Sequence, residues 1–126
     1  MATARASKKK ILVVDDEPQV SEAIGMLLSF DGHEVVTAGS GKEALALFVQ
    51  DQFDLVITDY HMPGMMGNEL ALALKERLPG QPVVMITAYA DMLKDSAVPL
   101  TAVDHLVNKP FQIADLRAAV QKTAAR

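Results

Sequence analysis

Three short stretches, far apart in the chain, hold side chains able to do chemistry together. They are the acidic pair Asp15 and Asp16 after Ile11 to Val14, Asp59 after Leu55 to Thr58, and Lys109 with Pro110 after Leu106 and Val107. Each stands at the end of a short apolar run rich in β-branched residues, the composition of a buried strand. If those strands run parallel, their ends gather on the one edge where open α/β sheets hold ligands. Three carboxylates and one ammonium then meet. Crowded carboxylates disfavour one another's charge unless a cation or a lysine answers them. A hard divalent ion does so: Mg²⁺ takes oxygen ligands in octahedral geometry, usually one or two carboxylates with waters and a phosphate oxygen. Nucleotide-binding sheets instead put glycines after the first strand, and the acids found here would repel bare phosphate. Taken alone, Asp15 and Asp16 also read as an acidic turn that complements a helix dipole.

The elements that must position these groups follow from hydrophobic period. Short apolar runs alternate with stretches of helical spacing, the pattern of βαβ units and a parallel sheet. Five strands and five helices are expected. Strands are predicted over about 10–14, 34–38, 55–58, 83–87 and 105–107. The first helix opens near Pro18, sets Val20, Ile24, Leu27 and Leu28 on one face, and closes at Asp31 and Gly32. Ser40 and Glu43 form a capping box for a second helix that buries Ala44, Leu45, Phe48 and Val49. A third runs from about Asn68 to Leu78, with Leu70, Leu74 and Leu78 inward, and Pro79 and Gly80 stop it. The fourth is the least regular: Met92, Leu93 and Ala97 give a short apolar face and Pro99 should break it. The fifth spans about 113–123, with Ile113, Leu116 and Val120 on its inner face.

Composition narrows the class. At 126 residues and 50% hydrophobic content the chain suits one compact domain. Net charge is −4, from 12 basic and 16 acidic residues, which offers no broad electropositive surface for nucleic acid. Cysteine is absent, so disulfides and thiolate metal sites are excluded. No apolar run approaches the roughly 20 residues that span a bilayer. The basic start, Arg5 to Lys10, has too short an apolar sequel for a signal core and reads as a solvated leader. A flexible leader over 1–9, a single domain over 10–126 and a cytoplasmic location are therefore expected.

The motifs resemble those of the receiver domains of bacterial two-component response regulators, over Lys10 to about Thr123. They are Ile11-Leu12-Val13-Val14-Asp15-Asp16-Glu17, the run from Asp54 through Asp59 to Leu70, Val83-Val84-Met85-Ile86-Thr87-Ala88, and Asn108-Lys109-Pro110-Phe111. The resemblance implies a doubly wound, five-stranded parallel α/β sheet of order 2-1-3-4-5 with five helices, a flavodoxin-like fold. It implies that Asp59 accepts a phosphoryl group from a histidine kinase or histidine phosphotransfer protein with Mg²⁺ as cofactor, Mn²⁺ being an alternative ion. Asp16 would bind the metal directly, Asp15 partly through water, and Asp59 and the backbone carbonyl of His61 would complete the protein ligands. Thr87, Ala88 and Lys109 would contact the phosphoryl group. Met62, Tyr89 and Pro110 would flank the site, the position-61 and Tyr89 side chains beside the path of attacking water, and Lys109-Pro110 would be cis. An output domain or protein, and a phosphorylation-dependent homodimer, are the implied partners.

These roles match what the reaction needs. Phosphoryl transfer rests on alignment and on neutralising charge over the transferring oxygens, and an aspartate needs no base to act as nucleophile near neutral pH. A hydroxyl such as that of Thr87 gains an acceptor only when a phosphoryl oxygen is present, which makes a switch.

The chain departs from the family pattern at Leu106, where many receivers carry a mobile Tyr or Phe, so the aromatic readout falls to Tyr89 or is lost. His105, adjacent to Leu106, should face the other side of the strand. Met62, Met65 and Met66 read either as an adaptable partner surface or as filler beneath a loop. Gly67 is expected to meet a backbone angle that other residues resist. Two other classes remain open on sequence: a binding scaffold of the same fold that works without phosphate, and an enzyme. The enzyme would be a phosphohydrolase, although His61 stands where its second aspartate belongs, or a flavin protein, against which the acidic loop argues.

Overall fold

A computed structural model describes residues 8–94 and 100–124. Five parallel strands, β1 (Lys10–Val14), β2 (Glu34–Ala38), β3 (Leu55–Asp59), β4 (Val83–Thr87) and β5 (His105–Asn108), form one sheet in the order β2-β1-β3-β4-β5. The central β3 and β4 are buried at every residue, as continuous apolar runs covered on both faces must be, whereas the edge strand β2 is exposed at Glu34 and Thr37.

Between the strands lie α1 (Pro18–Phe30), α2 (Gly41–Gln50) and α3 (Gly67–Arg77), and α5 (Ile113–Ala124) follows β5, each of ten or more residues. The segment α4 covers only Ala90–Lys94, five residues. Among the described residues four full helices and one short helical stretch thus stand where five helices were expected; Ala97 and Pro99 lie outside the described residues, as do residues 1–7 of the expected leader. Among the described residues no helix is long and apolar enough to cross a membrane.

Alternation along the strands sorts the core into two layers. Ile11, Val13, Ile57, Val84, Ile86 and Val107 face α1 and α5, meeting Ile24, Leu28, Leu116 and Val120. Leu12, Val14 and Val56 face the other way, toward Ala44 of α2 and Leu70 and Leu74 of α3. Three residues expected inside are outside: Val49, Leu78 and Ile113 are 65, 50 and 53% exposed. All three sit at helix ends, where spacing marks a face but does not tell which turn is covered.

The caps explain how the helices start and stop. Ser40 Oγ accepts from Glu43 N at 3.1 Å, while Glu43 Oε1 accepts from Gly39 N at 2.7 Å, so the box reaches back one residue before the cap. Gly32, at φ 97°, ends α1 in the left-handed region as a helix-terminating glycine does.

One carboxylate fastens β4 to its neighbours. Asp104 Oδ2 accepts from Val83 N at 2.8 Å and from Lys75 Nζ of α3 at 2.8 Å, and Asp104 N donates to Val83 O at 2.8 Å. Asp104→Ala is expected to lower unfolding free energy by about 1–2 kcal/mol, because it strands a backbone donor at the start of a buried strand. Urea denaturation followed by circular dichroism measures this, and an unchanged midpoint would contradict it.

Candidate functional site

The C-terminal ends of β1, β3, β4 and β5 bring the chemistry together. Asp15, only 3% exposed, is held from both sides: its N–H donates to Ala38 O at 3.1 Å, and its Oδ1 accepts from Glu17 N at 2.9 Å. The second bond is an Asx-type turn, which lifts the exposed Asp16 and Glu17 over the start of α1. Asp59 is the last residue of β3, one position longer than the predicted strand, and pairs with Ile86; its side chain is buried at 8% exposure. Carboxylate oxygens of Asp15, Asp16 and Asp59 all lie within 4.8 Å of one another.

Lys109 closes the cluster. Its Nζ stands 3.0 Å from Asp59 Oδ1 and 3.9 Å from Asp15 Oδ2, and its backbone N–H donates to Thr87 O at 2.9 Å. The Lys109-Pro110 bond is cis. Thr87 is buried, with Oγ1 accepting from Tyr89 N at 3.0 Å. Ala88 and Pro110 are exposed, and the Tyr89 side chain is 51% exposed. Leu106, half-buried, lies opposite Met85.

The loop after Asp59 is tightly closed. Gly67 N donates to Tyr60 O at 2.7 Å, and Met65 N to Pro63 O at 3.0 Å. His61 is exposed, while Met62 is buried in the layer facing α2 and α3, so Met62 fills space beneath the loop and is no part of a partner surface. Gly67 does not have the left-handed angle the sequence suggested; Gly64 has it, at φ 84°. Gly67 is required for closeness: a Cβ there would lie 2.2 Å from Asp59 O and 3.0 Å from Tyr60 Cα. No signal in the sequence distinguishes those two reasons for a glycine, since both depend on the path of distant backbone.

Charge is unbalanced in this pocket. Burial, together with the nearby Asp59 and Asp16 charges, pushes the Asp15 carboxyl up to about 6, against the opposing pull of the Glu17 N–H and Lys109. Burial also works against the Lys109 charge, but its bond to Asp59 and the charges of Asp59, Asp15 and Glu17 outweigh this and raise the ammonium above its ordinary value. Three hard oxygen donors converging on one point, one of them reluctant to ionise unaided, are a donor set that fits a divalent cation.

This fold and site define a receiver. The chain belongs to the response regulator receiver domain family, whose pattern matches residues 11–121. It is 37% identical to the probable transcriptional regulatory protein TcrX of Mycobacterium tuberculosis, covering 98% of this chain and 54% of that protein. It is 38% identical to the response regulator protein FleR of Pseudomonas aeruginosa, covering 91% of this chain and 24% of that protein. The chain thus spans about half or less of the length of these relatives. Among solved structures, the response regulator TrrA of Thermotoga maritima, in complex with Mg²⁺-BeF, superposes with a TM-score of 0.83 at 37% identity over 91% of this chain and 98% of that one. The chemotaxis protein CheY4 of Vibrio cholerae does so with a TM-score of 0.80 at 30% identity, over 93% and 99%.

The geometry sets two expected outcomes. Gly67→Ala should cost about 2 kcal/mol or more, since backbone and not a flexible side chain blocks the added methyl; amide signals of Asp59 and Tyr60 should move with it, and their constancy would contradict the account. Asp15 binds its proton more tightly folded than unfolded, so its ionisation subtracts stability from the metal-free protein as pH rises from about 4 to about 6. In EDTA, the stability of Asp15→Asn relative to wild type should therefore grow across that interval and level off above it. A difference flat with pH in urea titrations would oppose this.

Proposed function

We propose that this domain, over 10–126, is a phosphoacceptor: Asp59 takes a phosphoryl group from a histidine kinase or a histidine phosphotransfer protein in a Mg²⁺-dependent reaction. The change then alters the surface that an output domain or partner reads. The observation that carries this is the buried Asp59 carboxylate, 3.0 Å from the Lys109 ammonium and within 4.8 Å of Asp15 and Asp16 oxygens. A carboxylate with acid neighbours on one side and a cation on the other suits a nucleophile whose product carries more negative charge than it does.

Asp16, Asp15 and Asp59, with the His61 carbonyl, are the residues that would hold the ion. When bound, Mg²⁺ supplies neutralisation of the transferring oxygens. An Asp59 oxygen forms the new bond to phosphorus as the bond from phosphorus to the donor imidazole nitrogen breaks, its electron pair leaving with that nitrogen. Lys109, already drawn toward Asp59, is placed to pair with the added charge. Thr87 Oγ1 accepts from Tyr89 N and keeps its own O–H to donate. A phosphoryl oxygen on Asp59 would supply the acceptor, and the turn through Ala88 and Tyr89 would follow Thr87. With Leu106 in place of an aromatic ring, that turn is the element that carries the message toward α4.

Intact mass spectrometry after incubation with Mg²⁺ and acetyl phosphate tests the proposal. One added phosphoryl group is expected in wild type, none when EDTA precedes the donor and none in Asp59→Asn. Modification that persists in the variant would reject Asp59 as acceptor.

A further inference from the structure

We infer that Gly41 and Met65 act as a notch and its key, a positioning contact that holds the loop bearing His61 against the start of α2. The inference rests on the phosphoacceptor reading above for its consequence, though not for its geometry.

Gly41 is the first residue of α2 and is buried. A Cβ added there would lie 2.7 Å from Met65 Sδ, 3.1 Å from Cγ and 3.0 Å from Cβ. The thioether could swing aside, but Met65 Cβ is fixed to its own backbone, so the loop itself would have to give. Met65 also packs on the core layer facing α2 and α3. The loop over 60–66 is therefore held at three points: Gly67 N on Tyr60 O at its base, Met62 buried beneath it, and Met65 in the notch.

The far side of the notch is anchored to the other half of the site. Ala38 O, at the end of β2, accepts from Asp15 N, and the Ser40 and Glu43 cap joins β2 to α2 at once. A continuous path thus runs from Asp15 through Ala38 and the cap to Gly41, across to Met65, and back through His61 to Asp59. The contact thus braces the loop that leads out of β3 against the turn from β2 into α2, whose Ala38 carbonyl in turn holds Asp15 at the end of β1. Gly41 and Met65 touch none of the reacting groups; they act through the loop.

A double-mutant cycle with Gly41→Ala, Met65→Ala and the pair tests this, read by amide NMR in the metal-free protein and by Mg²⁺ titration. Filling the notch and removing the key should both move the amide signals of residues 60–66. Both should weaken Mg²⁺ binding, on the order of tenfold, as loss of outer support to metal ligands typically does. The pair should lose no more than the worse single variant, because both act through one contact. Unmoved amides with Mg²⁺ affinity within about twofold of wild type in either variant, or losses that add, would overturn the inference. Should Gly41→Ala fail to fold, Met65→Ala decides by the same two readings. Failure of wild type to bind Mg²⁺ or to modify Asp59 would instead overturn the phosphoacceptor reading, leaving the metal-free amide shifts to judge the brace.

Discussion

Like charge held at close range is the constraint on which the site depends. Asp15 and Asp59 are buried and share their surroundings with Asp16, and Lys109 is the cation that reaches Asp59 and Asp15 among the described residues. In water such carboxylates would move apart or be screened within about 10 Å at ordinary salt. Here each belongs to the end of a buried strand, and moving it means breaking the sheet. The large apolar interior thus holds the small polar site under electrostatic load, and the protonation range of Asp15, raised first by burial and then by the Asp59 and Asp16 charges, reflects both.

The sheet is rigid where the site needs it to be. Parallel pairing of β1 with β3 and of β3 with β4 fixes Asp15, Asp59 and Thr87 on one edge, and the order β2-β1-β3-β4-β5 leaves the crevice at the β1 and β3 junction where such sheets reverse direction. Backbone hydrogen bonds between the loops complete the work: Asp15 N to Ala38 O, Tyr60 N to Ile86 O and Lys109 N to Thr87 O each tie one strand end to its neighbour. Against this frame Tyr89, just before α4, and Met92 within it are largely exposed, while Ala90 and Leu93 of the same stretch are buried.

Methionine and glycine in the loop after Asp59 show how one composition hides several purposes. Met62 is core, Met65 is wedged on Gly41, Gly64 turns the chain at positive φ, and Gly67 clears space for the Asp59 carbonyl. As residue types alone, these describe a flexible, adaptable segment. In space they form a closed loop in which Gly64 supplies the backbone angle and Gly67 the clearance.

The strand ends, their parallel sense and the meeting of Asp15, Asp59 and Lys109 were legible in the sequence. Apolar runs broken by helical period leave a parallel sheet as the fold that buries them, and its edge collects the residues just beyond each run. Helix faces were legible only in their middles; Val49, Leu78 and Ile113 lie outside because spacing does not reveal where cover ends. The glycine roles, the bond from Asp15 to Ala38 and the Asp104 bracket were decided by tertiary structure alone. Those features are distances between segments remote along the chain, and local pattern carries no record of how closely two backbones will pass.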